Sequence, residues 1–508
     1  MTSSKVGRVL LIAAINLGIL LALMTVTELI SRHVERAKYP WTQPQQVAPK
    51  RGSELRVFAF GASTVWGEPV PEISFIAQMR YWLRRFYPDR DIRIYNFGAR
   101  GKNTAYVLRE LTSRLDEQPD LILVITGSNE FLTWGPEPEG IARIPELLLS
   151  YSATTRLLQR AVGKVTGSRG VDPMPCQVQP WDRESDHFKS RLVTLEKEMR
   201  LIVERTSQRR IPLLLATSPS NIADWPPAYQ RLPGRNQGYT GTVSRIQELL
   251  RNGKYGEAAD AVTAGFSLYP EDAMLYFLRG RVQLARGSYA DARESFVKAR
   301  DLDPVPWRAI PETNSIIRRV ASATPDVHLV DLDRVYEEHS EHGLVGNDLI
   351  FDNCHTTPLG DSLTAKALVQ TMVEIGFLPA RQPPEECCPV GTFLTDAGYF
   401  EPKSPLRLHA FLDTGTYAMK TPFFNYELSR EYLLEAMKVD QNSWEVWANL
   451  ATIDYLTGDS AAGARELRRA TELHRRPIDV NDRWVTPYLK EALEYPAGCT
   501  SSQQEATH

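Results

Sequence analysis

Between Leu55 and Ile375, short apolar runs alternate with stretches of helical periodicity, and no other feature of the chain narrows its architecture as far. The runs are Leu55–Phe60, Asp91–Tyr95, Leu121–Thr126, Ile211–Thr217 and Val327–Asp331. Short segments rich in Val, Ile and Leu read as strands inside a sheet. Helical periodicity marks Ile73–Phe86, with Pro71 close to its start, then Thr104–Leu115, Val193–Glu204 and Leu359–Ile375. This alternation predicts an α/β domain, a mostly parallel sheet with helices on both faces. Such sheets bind ligands at the carboxyl ends of their strands. Functional residues are therefore expected in the loops that follow the runs.

Between the fourth and fifth runs the period changes. Gly253, Tyr255, Ala258 and Pro270 recur as Gly287, Tyr289, Ala292 and Pro304, each 34 residues on. That spacing, with small residues where paired helices cross and Pro at the end of the unit, resembles the tetratricopeptide repeat. Gly280, Phe296 and Ala299 fill further positions of the second unit. Near the C-terminus Leu433 and Ala436 recur as Leu467 and Ala470, with Trp447, Leu450 and Gly458 in register. Plain helical hairpins packed on the α/β domain are the alternative, because repeat arrays usually need three or more units. The expected organisation is an anchor and linker over 1–50, the α/β domain over 51–238 and 305–380, a helical insertion over 239–304, and a C-terminal region with repeat-like helices over 381–508.

Val9–Ile30 is almost unbroken apolar sequence, interrupted by Asn16, Thr25, Thr27 and Glu28. At about 1.5 Å per residue it reaches roughly 33 Å as a helix, enough to cross a bilayer. No A-x-A site follows it, so it reads as an uncleaved single-pass anchor and not as a signal peptide. Lys5 and Arg8 precede the run, while Arg32, Arg36 and Lys38 follow it, so charge does not fix its orientation. Tyr39–Lys50, rich in Pro and Gln, reads as a linker to a globular part expected on the extracytoplasmic side. A net charge of −3 without a basic stripe argues against a nucleic-acid partner. The five cysteines, Cys176, Cys354, Cys387, Cys388 and Cys499, show no C-x-x-C or Cys/His ligand spacing, so no metal or cofactor is expected. Their odd number leaves room for one or two disulfides in an oxidising compartment. Cys354 reads as a buried thiol or a disulfide partner, with Cys176 a candidate mate.

The chemistry-bearing residues fall where the strands end. The first run opens into GASTVWG, which sets Ser63 just past a strand with Gly61, Ala62 and Gly67 around it. Small neighbours let a substrate approach the backbone there. NFGARGKNT follows the second run and places Gly98 and Gly101 in a loop; TGSNEF follows the third and places Asn129 at the mouth of the sheet. FDNCHTTPLGD follows the fifth, with Asp352 three residues ahead of His355. Each has a plain structural reading. Ser and Asn cap turns, Gly101 permits one, and Asp352 with His355 could be a local hydrogen-bonded pair. Together they supply a nucleophile, a base, an orienter and oxyanion donors, the requirements for acyl transfer through an activated Ser.

In order, the blocks GASTVWG, ARGKNT, TGSNE and DNCH resemble those of the SGNH (GDSL-type) hydrolases. The resemblance covers roughly Leu55–Ile375 without the repeat insertion, and it implies a flavodoxin-like parallel sheet. It also implies Ser63 as nucleophile, His355 as general base and Asp352 as its orienter, with the Ser63 and Gly101 N–H groups and the Asn129 amide as the oxyanion hole. Ala62 stands where the family's namesake motif has Asp, and Thr356 where a Pro often follows the His. Val65 excludes the G-x-S-x-G elbow of α/β-hydrolases. Two classes of function follow. One is a membrane-tethered serine esterase, or an acyltransferase using the same acyl-enzyme, acting on an ester of a small molecule, lipid or envelope glycan. The other is an interaction protein that binds a protein partner through its repeats and carries an inactive core.

Overall fold

The strands β1 (Leu55–Gly61), β2 (Ile92–Gly98), β3 (Leu121–Ile125), β4 (Leu213–Ala216) and β5 (Val327–Val330) pair side by side in the order β2-β1-β3-β4-β5. Every pairing is parallel. The computed structural model describes residues 16, 18, 22–34, 47–132, 154–155, 157–158, 180–227, 237–381, 389–419, 425–475 and 489. The chain separates into two compact units, residues 1–46 with 135–175 and residues 47–134 with 176–508. In the first, residues 22–34 are helical, and the Glu28 carboxylate accepts the Thr154 N–H at 3.2 Å and its hydroxyl at 3.0 Å. No helix among the described residues is long and apolar enough to cross a membrane. The greater part of residues 9–21, the start of the expected anchor, lies outside them. The second unit holds the whole sheet.

Its helices in chain order begin with α1 (Phe75–Phe86), α2 (Thr104–Arg114) and α3 (Asp186–Gln208). The insertion contributes α4 (Gln237–Arg251), α5 (Tyr255–Leu268), α6 (Ala273–Ala285) and α7 (Tyr289–Asp301). Then come α8 (Pro311–Ser322), α9 (Leu332–His339) and α10 (Pro358–Glu374). The C-terminal region adds α11 (Val390–Asp396), α12 (Pro405–Ala418), α13 (Tyr426–Val439), α14 (Trp444–Thr457) and α15 (Ser460–His474).

Side chains of a strand alternate between the two faces of its sheet. Val57, Ala59, Leu121, Leu123 and Leu214 accordingly bury against α1 and α10. Phe58, Phe60, Ile122, Val124 and Leu215 bury on the other face against α2, α3 and α8. Both faces being covered, β3 is wholly apolar and wholly buried. Truncating Leu123 to Ala would cost about 2–5 kcal/mol, the usual penalty for a cavity in a close-packed core.

Two elements exceed their sequence expectation. Helix α3, of which Val193–Glu204 reads as a part, begins at Asp186, because Ser185 caps it by accepting from Phe188 N while its first turns are too polar to carry the apolar period. Strand β2 runs on to Gly98, because Asn96 and Gly98, turn residues by propensity, pair with Ala59 and Gly61 of β1. The insertion sits between β4 and β5 in the chain and leaves the strand order intact. Its helices form two hairpins around Val243, Ala258, Leu275 and Phe296, which share a core with Ile222 and Ala223 after β4. A Cβ on Gly280 would lie 2.6 Å from the Phe296 ring, which explains a glycine at this crossing.

Candidate active site

In the register of the sheet, Gly61 of β1 stands opposite Gly98 of β2 and Ile125 of β3. The three loops that follow therefore leave the sheet at one level, at the point where the strand order reverses direction. In open α/β sheets that switch point is where a crevice forms. Ser63, Gly101 and Asn129 lie on these loops.

Residues Ser63–Trp66 form a single helical turn. Asn96 braces it, donating from Nδ2 to the Val65 carbonyl at 2.7 Å while its Oδ1 accepts from Gly98 N at 2.9 Å. The turn passes so close to β2 that a Cβ on Gly98 would meet Trp66 N at 2.2 Å. Only glycine fits there.

His355 reaches this turn from the loop between α9 and α10, and not directly from the end of β5. Its Nε2 lies 2.7 Å from Ser63 Oγ, and its Nδ1 lies 2.6 Å from Asp352 Oδ2. A carboxylate only accepts, so Nδ1 carries the proton and Nε2 is free to accept the Ser63 hydroxyl. Asp352 Oδ1 accepts two backbone N–H groups, from Cys354 at 2.8 Å and His355 at 2.7 Å. All three side chains are buried, with 7% of Ser63, 5% of His355 and 3% of Asp352 exposed. Burial alone lowers the basicity of the imidazole; the charge and hydrogen bond of Asp352 outweigh it, and the net effect raises His355 above its ordinary value.

The loop itself is held from several sides. Ile350 and Thr356 form an antiparallel bridge across it. Asn221, after β4, donates to the Ile350 carbonyl at 3.0 Å, and its own carbonyl accepts from Arg308 at 2.6 Å. Thr356 donates its hydroxyl to Asp361 Oδ1 at 2.7 Å. Burial pushes the Asp361 carboxyl up to about 8, with Thr356 opposing.

In the loop after β3, the Asn129 amide donates to the Lys102 carbonyl at 3.1 Å, next to Gly101. Gly101 has φ +66°, a conformation that glycine adopts without strain. Glu130, fully buried, accepts from Thr104 N at 3.0 Å and Thr104 Oγ1 at 2.6 Å, and pairs with Arg191 at 2.6 Å. Arg191 also donates to the Glu130 carbonyl at 3.0 Å. Sequence reading passed over Glu130, Arg191 and Asn221. Glu130 carried a signal, a carboxylate between Asn129 and the apolar Phe131; Arg191 and Asn221 carried none.

Cys354 is a free, buried thiol, which removes the disulfide expectation for it; Cys176 lies outside the described residues. Burial holds that thiol well above its ordinary value, with the charges of Asp352 and Glu68 adding. Asp352, Cys354 and His355 present possible ligand atoms within 4.8 Å of one another. A cation there would compete for both Asp352 oxygens, which already accept hydrogen bonds, and for a thiol held protonated. The donor set fits a proton relay better than a metal centre. The arrangement can draw the proton from Ser63 and hold the resulting imidazolium against a carboxylate.

Residues 244–305 match the family model of the tetratricopeptide repeat. The match falls on the helices of the insertion, whose core packs against the segment following β4. Arg281 of this repeat donates to Asp224 Oδ1 at 2.7 Å, three residues beyond Asn221. No curated protein matches the sequence of the chain. Among solved structures, similar ones include a lipase/acylhydrolase from Enterococcus faecalis, 12% identical over 65% of this chain and 100% of that one, with a TM-score of 0.31. A variant of an acetyl xylan esterase from Geobacillus stearothermophilus is 14% identical over 65% and 99%, with a TM-score of 0.30. An α/β hydrolase from a lake metagenome is 15% identical over 64% and 97%, with a TM-score of 0.28.

Proposed function

We infer that this chain is a serine ester hydrolase of the SGNH type. Ser63 is the nucleophile, His355 the general base and Asp352 its orienter, with the Ser63 and Gly101 N–H groups and the Asn129 amide as oxyanion donors. One observation carries the reading: an unbroken path from Ser63 Oγ through His355 to Asp352, with contacts of 2.7 and 2.6 Å. In the first step Nε2 takes the hydroxyl proton as Oγ bonds the ester carbonyl carbon. His355 then returns the proton to the leaving alkoxide, and an acyl-Ser63 ester remains. Water, activated by the same Nε2, attacks that ester and frees the acid and Ser63. Each step places an oxyanion toward the Gly101 and Asn129 loops, where preorganised donors count most.

The substrate is an ester of a small molecule, lipid or envelope glycan. The length of the apolar run Val9–Ile30 supports attachment to a membrane, with the globular part outside the cytoplasm. The tetratricopeptide repeat supports a protein partner. A fluorophosphonate probe on the full-length chain tests the central claim. It should label the wild type and leave Ser63→Ala unlabelled. An unlabelled wild type, or equal labelling of Ser63→Ala, overturns it.

A further inference from the structure

The loop that carries His355 is gripped by helices from the far end of the chain. Tyr417, on α12, stands perpendicular to the imidazole, with ring centroids 5.5 Å apart and planes at 89°. Tyr432, on α13, donates its hydroxyl to the Phe351 carbonyl at 3.2 Å, one residue ahead of Asp352. Helix α12 is itself packed near its middle and at its C-terminal end. Ala410 belongs to a core with Val70, Ile73 and Phe351, while Ala418 belongs to another with Trp225 and Trp307. The first of these clusters reaches the chain that follows the Ser63 turn. The second reaches the segment of Asn221, whose amide holds the Ile350 carbonyl.

We propose that Tyr417 is a positioning residue for His355, supplied by the C-terminal helices, so that the α/β domain is not a complete catalytic unit without α12 and α13. The proposal rests on the Ser63–His355–Asp352 reading above. His355 must hold two short hydrogen bonds at once, and the terminal torsion of a histidine has a broad minimum that does not fix the ring. Asp352 restrains one edge of the imidazole. A perpendicular aromatic ring, the arrangement favoured by the quadrupoles of two π-systems, restrains it further and keeps water from that side. Burial holds the Tyr417 phenol well above its ordinary value, with the charges of Asp352, Cys354 and Glu68 adding. The side chain therefore stays neutral while the enzyme works, and it acts through its ring and not by exchanging a proton. Tyr432 secures the same loop through its backbone. No local pattern marks Tyr417, since α12 ends ahead of Leu433, where the repeat-like spacing near the C-terminus begins.

The test uses the full-length chain and two readouts counted per active site: the fluorophosphonate labelling rate of Ser63, and kcat and KM on a short-chain aryl ester. Tyr417→Phe keeps the ring and should stay within about threefold of wild type, while Tyr417→Ala should lower labelling and kcat by about 10–100-fold, the scale of a misplaced catalytic group, with KM within about twofold. Counting per active site removes any loss that is only a smaller folded fraction. Should Tyr417→Ala fail to fold, Tyr417→Leu removes the ring while keeping apolar volume and carries the same expectation. A wild-type labelling rate per active site in Tyr417→Ala or Tyr417→Leu overturns the proposal while leaving the hydrolase reading intact. Equal loss in Tyr417→Phe and Tyr417→Ala also overturns it, because the ring would not be what matters. An unlabelled wild type removes the hydrolase reading, and this proposal with it.

Discussion

Asp352→Asn replaces one oxygen by an amide nitrogen, and the structure dictates which oxygen it is. Oδ1 accepts two backbone N–H groups, at 2.8 and 2.7 Å, so only an acceptor fits there. The amide oxygen of the variant must take that place. Its NH₂ then faces His355 Nδ1, 2.6 Å from where Oδ2 stood. An NH₂ group donates, so Nδ1 must become the acceptor and the ring proton moves to Nε2. Nε2 is the nitrogen that meets Ser63 Oγ at 2.7 Å, and once protonated it cannot take the hydroxyl proton. The variant also loses the charge that stabilises the imidazolium. The same tautomer inversion in a Ser-His-Asp triad costs about 10⁴ in kcat, or about 5.4 kcal/mol at 1.36 kcal/mol per tenfold. Shape and both Oδ1 contacts are kept, so the fold should survive, and a thermal melt checks that it does. The assay is steady-state turnover of a short-chain aryl ester by the full-length chain, with Ser63→Ala as the floor. A folded Asp352→Asn within about tenfold of wild type would refute the assignment of Asp352 as orienter of the base.

Three further outcomes follow from the same geometry. Because Asp352 outweighs burial and raises the His355 imidazole above its ordinary value, kcat/KM should fall as pH drops through a midpoint above that of a free histidine; a midpoint below it contradicts the assignment. Arg191→Met strands the buried Glu130 carboxylate and should cost about 3–5 kcal/mol in urea unfolding, while kcat falls because the Asn129 loop loosens; an unchanged midpoint and kcat would show that the pair braces nothing. Asp361, pushed up to about 8 by burial, keeps its proton on folding, so its contribution to stability is complete below about pH 4 and lost as pH rises through about 8, at up to about 1.4 kcal/mol per pH unit. Asp361→Asn should flatten that slope, and an identical pH dependence of unfolding in variant and wild type would reject it.

The strands were legible because a sheet buried on both faces leaves apolar runs that local sequence cannot disguise. Leu121–Ile125 is the plainest case. Boundaries were less so: Asn96 and Gly98 look like turn residues, yet pairing with β1 and the close passage of Trp66 draw them into β2. The residues of the Ser63–His355–Asp352 path were legible because each stands in a short local block, Ser63 just past β1 and Asp352 with His355 in the loop ahead of α10. Their braces were not. Arg191 sits on a helix face among other charges, and its meeting with Glu130 depends on how α3 lies against the sheet. Tyr417 belongs to a helix in which no period marks a functional face. Sequence displays chemistry that is local and hides support that is assembled across long separations.

That division has a physical cause. A buried ion pair such as Glu130–Arg191 or Arg308–Asp303 seldom adds net stability, since desolvation consumes most of the attraction. Any shift that breaks one, however, leaves a charge buried without a partner, so each pair penalises the displacements that would part it. Here they stand behind the loops of Asn129 and of Asp352 and His355. The sheet supplies a common starting level for these loops, and apolar packing supplies the free energy. Neither sets a hydroxyl within 2.7 Å of one particular nitrogen. Catalysis by oriented groups is sensitive to displacements of about 1 Å. A site built on loops therefore needs directional contacts behind each loop, and in this chain they come from α3, the segment after β4 and the C-terminal helices.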